Sequence, residues 1–478
     1  VNKVNGPKLG RRIVPLFYYL EEEFVLQLRG VARMVVLFVV IAMISACGAG
    51  GGAQTPGGSA PDGKADTAAK PKEEKHDPMT LKLYQYGLAL TDSDFSKLFA
   101  DPVKKKFPYI TLELIRMGKG MQPEDLLAAG DFPDILFSSN GKIPYLTDLG
   151  VLADLNPQVK KNNTDLNRFQ PDILNVIKNY AAGGEVYALP FSRNFSPLFY
   201  NKDLFDKFGV SYPKDGLTWN DVHDLAQKLS RSDGGVSYRG FDYGQVPDTA
   251  GSILSLGYVN PKTNKSIINT DSWKKVFNLL QGFYSIPGNM PEKADFGDLN
   301  KARKEFTEGR LAMFIDKGNG LVPMLQDLDN QHKPLNWDLT ASPNFPEAPG
   351  VEGRMDIHLF EVYAKGKHQD DAFKVIDYLT SKDIEMLASG GGRVTSLTDK
   401  AVQNNYGKEL SALKGKHIEA IFKSKPAPLP PSTDYDGLVQ KQVTAAFKSV
   451  VLDGQDINSA LRAAQEAADK AIAEELAK

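Results

Sequence analysis

The chain has little of several things that would narrow its chemistry at once. It holds one cysteine in 478 residues, so no disulfide can form within it and no thiol pair can serve a redox or zinc site. Its six histidines, His76, His223, His332, His358, His368 and His417, are scattered, without the H-E-x-x-H spacing of a helical zinc site. His358 is of interest because it falls near an expected interdomain crossing. Neither sign of charge is in excess: 57 Lys and Arg against 59 Asp and Glu leave a formal net charge of −2. With the basic residues dispersed, the electrostatic footprint of a nucleic-acid binder is absent. No G-x-S-x-G and no phosphate loop occurs. Residues 48–53 (GAGGGA) fit a loose dinucleotide pattern, but no strand precedes them. Asp92-Ser93-Asp94 begins like a calcium loop, yet Lys97 stands at the turn glycine and Val103 at the closing glutamate. No metal and no cofactor is expected.

Long apolar runs are equally scarce. The one exception, residues 34–46 (MVVLFVVIAMISA), is about 13 residues long, against the roughly 20 a membrane-spanning helix needs. With Arg29 and Arg33 ahead of it, it reads as the core of a signal peptide. Ile44-Ser45-Ala46-Cys47 follows directly and resembles a bacterial lipobox. That resemblance implies that Cys47 is lipidated and that the chain is exported and anchored to the outer face of the cell membrane. Residues 1–28, with Glu21-Glu22-Glu23, fit no ordinary signal sequence, and translation is expected to start near Val25, Val31 or Met34. Residues 1–46 are thus upstream segment and signal peptide, and 47–78 the lipidated cysteine and a tether. Residues 48–78 are Gly, Ala, Pro and charge, too poor in large apolar side chains to fold; their root-mean-square reach is roughly 30 Å. The lipid is the only membrane contact expected.

About 400 residues remain, enough for two or more domains. Residues 80–84 alternate as a strand does, 109–114 read as a second strand, 123–129 as a helix, and 133–137 as a short, continuously apolar strand. Strands alternating with helices predict an α/β fold with a parallel sheet. Thr218-Trp219-Asn220-Asp221 forms a capping box, followed by an apolar stripe of Val222, Leu225, Ala226 and Leu229. Ala372, Ile376 and Leu379 mark another helix, and Ile457, Leu461, Ala464, Ala468 and Ile472 the last. Residues 426–431 (PAPLPP) form a stiff extended crossing.

Several segments, in order, are similar to one family. They are AGDFPDI (129–135), LGVLADL (149–155), YALPF (187–191), FYNKDLF (199–205), TWND (218–221) and FTEGRLAM (306–313). Together they resemble family 1 extracellular solute-binding proteins, the maltose-binding-like receptors of ABC importers. The resemblance implies a two-lobed periplasmic-binding-protein fold, each lobe a mostly parallel sheet flanked by helices, joined by a multi-crossing hinge. Mapped here, lobe one is 79–190 plus 310–356 and lobe two 191–309 plus 357–478, with crossings near Pro190, Gly309 and Asp356. It also implies a monomeric receptor, not an enzyme, that closes around a carbohydrate and delivers it to the permease subunits of an ABC transporter.

Ligands of such sheets bind beyond the carboxyl ends of the strands. By resemblance, Ser138, Ser139, Asn140 and Lys142, with Asn194 and Asn319, stand where relatives touch sugar. Asp92 and Asp316 are added because they follow predicted strands and can engage hydroxyls. Pyranoses also want aromatic faces. Trp219, Trp273 and Trp337 all look structural, so stacking is expected from Phe195, Tyr243 or Tyr435, or else the ligand is more polar than a maltodextrin. Arg393, behind Gly390-Gly391-Gly392, is a further candidate. Arg193, Arg393 and Lys142 leave an acidic sugar or a non-sugar solute open. A surface glycoside hydrolase would need a carboxylate pair such as Asp92 and Asp316.

Overall fold

The computed structural model describes residues 76–477 apart from Ala89, Ala182, Gln245 and Val246. The signal segment, Cys47 and most of the tether lie outside the described residues.

The early strands form where their patterns place them: β1 (Met79–Gln85), β2 (Ile110–Arg116) and β3 (Ile135–Ser139), then β4 (Leu189–Arg193). The chain next builds β5 (Leu198–Asn201), β6 (Arg231–Asp233), β7 (Val236–Tyr243), a small hairpin of β8 (Val259–Asn260) and β9 (Lys265–Ser266), β10 (Leu311–Ile315) and β11 (Trp337–Thr340). β12 (Val351–Arg354) leads to β13 (Ile357–Val362) and β14 (Val394–Thr395), and β15 (Lys425–Ala427) returns to pair with β12. One six-stranded sheet has the order β14-β4-β13-β3-β1-β2, and a five-stranded sheet has the order β11-β5-β10-β7-β6.

This topology corrects the lobe boundaries. β10 and β11, within 310–356, lie in the second sheet beside β5, and β13 and β14, within 357–478, lie in the first. Gly309 is no crossing; at φ +73° it turns the chain from helix Leu299–Thr307 into β10, and Phe306 and Phe314 then pack with ring centroids 6.0 Å apart. The chain crosses between Arg193 and Leu198, between Arg354 and Ile357, and near Leu410: the Gly407 and Glu409 amides still donate to the Ser389 and Gly390 carbonyls of the first lobe, whereas the Ala412 amide donates to Gln326 of the second.

The sheets are mixed, not mostly parallel. β1 pairs parallel with β2 and β3, and β7 with β10, the pattern helical crossovers produce. β5 and β13 start at crossings and run outward, and β14 starts beside Arg193 and runs the same way, so all three lie antiparallel to their neighbours.

Each sheet is covered on both faces. In the first lobe Phe99 sits 5.2–5.4 Å from the rings of Phe137, Phe191 and Phe360, while Tyr84, Leu136 and Leu359 fill the other face. In the second, Trp219, Phe241 and Phe283 meet helices Asp436–Asp453 and Ile457–Leu476, and Phe199, Phe306 and Trp337 fill the other face. All three tryptophans are buried, as expected of structural residues. The Thr218 capping box is present: Thr218 Oγ1 accepts from the Asp221 amide at 3.3 Å and Asp221 Oδ2 accepts from the Thr218 amide at 2.8 Å.

Candidate functional site

The carboxyl ends of β3, β4, β7 and β10 converge on the crossings. Ser139 pairs with His358, Arg193 with Ile357, and Ile315 with both Leu198 and Tyr243. The loops after β3 and β10 therefore meet the crossing strands from opposite lobes.

Asn140 clamps the second crossing. Its Nδ2 donates to the Met355 carbonyl at 3.2 Å and to the Tyr180 hydroxyl at 3.3 Å, and its Oδ1 accepts from the Ile357 amide at 2.8 Å. Beside it, Asn194 holds Asp356: the Asn194 amide donates to the Asp356 carbonyl at 2.8 Å and its Nδ2 to Asp356 Oδ2 at 3.4 Å. Lys317, from the loop after β10, donates to the same Oδ2 at 2.6 Å. Burial works to raise the Asp356 pKa, but the Lys317 ammonium and these hydrogen bonds outweigh it and hold the carboxylate at about 2. Burial pushes neighbouring His358 down to about 4, so its imidazole is neutral at ordinary pH. Asn194 Oδ1 accepts from the Asn319 amide at 3.2 Å. The Asn319 carboxamide is then left with both its oxygen and its nitrogen buried and without a protein partner. Each such group costs about 1–3 kcal/mol until something bonds to it.

Ser139 and Lys142 stay on this rim, half-buried, with the Lys142 ammonium 5.4 Å from the centre of the Tyr86 ring. Tyr435 packs partly against the second core at the start of helix Asp436–Asp453.

Other expected residues are drawn elsewhere. Ser138 points into the first sheet, fully buried, and donates to Glu361; burial raises that carboxyl to about 8. Phe195 is 2% exposed, edge-on to Tyr406 at 5.8 Å, and lies so close over Gly318 that a β-carbon there would come within 1.9 Å of its ring. Tyr243 is buried too, edge-on to Trp219 at 5.5 Å; it borders a cavity of about 10 Å³ beside Ser196, Thr249 and Lys317. Neither ring is available for stacking. Asp316 is bound by Arg303 through two bonds of 2.6 and 3.0 Å. Asp92, with 93% of its side chain exposed, pairs with Arg116. Each of the two carboxylates thus pairs with an arginine. Arg393 donates to Asp94 at 3.0 Å and ties the loop after β1 to β14.

Arg193 and Asn194 are successive residues of an extended chain, so their side chains leave on opposite sides. Arg193 faces a separate cavity of about 150 Å³, bordered by Thr395, Lys400, Gln403, Tyr406 and Phe422. The reading of the loops anticipated neither this cavity nor the Lys317–Asp356 pair. Lys317 carried a local signal, a cation directly after an apolar strand. Tyr406 and Phe422 carried none, because they come from an irregular stretch without hydrophobic periodicity.

The model of the bacterial extracellular solute-binding protein family matches residues 91–386. A multiple sugar-binding protein of Streptococcus mutans is 20% identical over 379 residues, 76% of this chain and 81% of that protein. The melibiose/raffinose/stachyose-binding protein MelE of Bacillus subtilis is 28% identical over 232 residues, 46% of this chain and 49% of its own length. A putative binding protein of Brucella abortus is 26% identical over 211 residues, and the match spans 48% of its length and 42% of this chain, so the chain spans about half of several relatives. Among solved structures, an ABC substrate-binding protein of Listeria monocytogenes in complex with cycloalternan superposes with a TM-score of 0.70 at 19% identity, covering 83% of this chain and all of that one. A solute-binding protein of Agrobacterium vitis with bound D-mannitol gives 0.62 at 19%, covering 83% and 99%. At these identities the superpositions establish the two-lobed fold.

Proposed function

The chain belongs to the bacterial extracellular solute-binding proteins, an exported family of binding proteins, and from that premise we propose that it is a lipid-anchored receptor for a carbohydrate. The ligand, an oligosaccharide or its breakdown product, is held between the lobes and handed to the permease subunits of an ABC importer by a monomeric protein anchored through Cys47. The observation that carries this reading is the Asn319 carboxamide, with a buried donor and a buried acceptor both unpartnered beside Asn194 at the lobe junction. A sugar hydroxyl also donates and accepts, so one hydroxyl pair answers both atoms of the amide. Ser139 and Lys142 on the opposing rim supply further bonds. Each neutral bond adds about 1 kcal/mol net, so useful affinity requires several, made together when the lobes close.

The relatives named for sugars, and the neighbours that hold cycloalternan or mannitol, support a carbohydrate over other solutes. Phe195 and Tyr243 lie in the core, which leaves the half-buried Tyr180, bonded to Asn140, and Tyr435 as candidate rings for the ligand. No step of chemistry is assigned to the site: Asp92 and Asp316 are each bound to an arginine.

A thermal-shift panel of mono- and oligosaccharides tests the reading. A ligand at 100 times its Kd adds about 2.7 kcal/mol of stability. If no carbohydrate raises the melting temperature, the sugar assignment is wrong. Turnover of any oligosaccharide would instead favour the hydrolase. Labelled palmitate should enter the wild-type chain in cells and not a Cys47→Ser variant; equal labelling of both would remove the anchor.

A further inference from the structure

The carbohydrate site uses one side of the first crossing and leaves the cavity behind Arg193 unassigned. We propose that this cavity binds a small carboxylate and that the bound carboxylate shifts the balance between lobe arrangements.

Size sets the first limit. At about 150 Å³ the cavity matches one known to hold a benzene-sized molecule, so it takes a ligand of about six heavy atoms, far smaller than an oligosaccharide. Its polar groups choose the charge. Arg193 is 8% exposed, and its guanidinium meets Glu352 through a single contact of 3.4 Å, which leaves most of a five-donor fork shaped for a carboxylate. Tyr406 borders the cavity, and its hydroxyl is buried without a protein partner. Burial raises its pKa, so it keeps its proton and donates. Lys400 adds a cation and is held by Gln403 Oε1 at 2.9 Å. No acidic side chain borders the cavity among the described residues. Glu385, which accepts from the Thr395 hydroxyl, is raised by burial to about 8 and adds no negative charge at neutral pH. Phe422, with Arg193 6.0 Å from its ring centre, and Val394 provide an apolar wall for a short carbon chain.

Position supplies the consequence. Thr395, Lys400, Gln403 and Tyr406 belong to the first lobe, where residues 405–409 bond to helix Lys382–Gly390, Phe422 belongs to the second, and Arg193 to the strand between them. A ligand that bonds to Arg193 and Lys400 while its carbon chain packs on Phe422 binds best in the arrangement that brings Lys400 and Phe422 together, and so stabilises it. This coupling rests on the lobe-closure reading above; the binding itself does not.

The test uses the full chain in detergent with acetate, propionate and the uncharged isostere acetamide, followed by saturation-transfer NMR and competition. Acetate and propionate should bind, with acetamide at least tenfold weaker. Tyr406→Phe, which removes one oxygen, and Lys400→Gln, at the cavity mouth, should each weaken acetate at least fivefold without changing the melting temperature. Acetamide binding as well as acetate, or undiminished acetate binding in Tyr406→Phe, overturns the site. In the second arm carbohydrate affinity is measured in acetate and in chloride at equal ionic strength. A change of at least threefold in wild type, absent in Tyr406→Phe, is expected, and no change overturns the coupling. If no carbohydrate binds at all, the receptor reading fails while the NMR arm still decides the cavity.

Discussion

The two sides of the first crossing are one residue apart in sequence and opposite in their electrostatics. On the Asn194 side the charges answer each other: Lys317 and Asp356 meet at 2.6 Å with 24–25% of their side chains exposed, and what stays unpartnered is a neutral amide. On the Arg193 side the ion pair is loose, at 3.4 Å, and a guanidinium and a phenol remain with bonds to give. A strand can thus present one face to hydroxyls and the other to an anion, because alternation sends adjacent side chains into different surroundings.

Removing the wall between the two sides should have the largest effect. Phe195 packs on Gly318 and Tyr406, and Phe195→Ala should cost about 3–5 kcal/mol in urea unfolding. A loss under about 1 kcal/mol would mean that the ring does not separate the sides. Next is Lys317→Met, which strands the Asp356 carboxylate. A fully buried pair loses about 3–5 kcal/mol when broken; with a quarter of each side chain exposed, about 1–3 kcal/mol is expected. The sign of its pH dependence follows from the lowered pKa. Asp356 near 2 against an ordinary 3.8 contributes stability that is present above pH about 4 and is lost as pH falls toward 2. In Lys317→Met that acid-sensitive part should shrink, and an unchanged acid limb would show that Lys317 does not set it. Asn319→Ala should weaken carbohydrate about tenfold, or about 1.4 kcal/mol, with stability unchanged or slightly raised because two unpartnered polar atoms are removed. Equal affinity would take Asn319 out of the site. Asp92→Asn should do least, within about 0.5 kcal/mol in stability and without effect on carbohydrate. A large loss of binding would return Asp92 to the cleft.

Local features were legible in the sequence. The Thr218 capping box and strands β1 to β3 follow from short-range pattern, and the ordered motifs carried the family and its two lobes. Lobe membership was not legible. β10 and β13 are both short apolar strands, and nothing within LAMFI or IHLFEV says which sheet each joins; long-range pairing decides. The choice between ligand contact and structural partner was equally hidden. Asp316 looks free in its loop, but Arg303, 13 residues earlier on helix Leu299–Thr307, reaches it across the turn. Glu361, a lone carboxyl in an apolar strand, did signal a buried partner, and that signal would have withdrawn Ser138 from the rim.

β13 lies between β3 and β4 in the first sheet, yet 356 residues precede it, and its Glu361 meets Ser138 across 223 positions of chain. A ribosome that has finished β4 has therefore made the outer parts of a sheet without the strand that joins them. The second lobe's entire sheet is synthesised before that strand exists. Contacts of this range delay folding, so the first lobe stays unfinished while most of the polypeptide emerges, a state suited to a chain that must be threaded through a membrane. A product that stopped before residue 357 would leave β3 and β4 as bare edges, open to pairing with other chains.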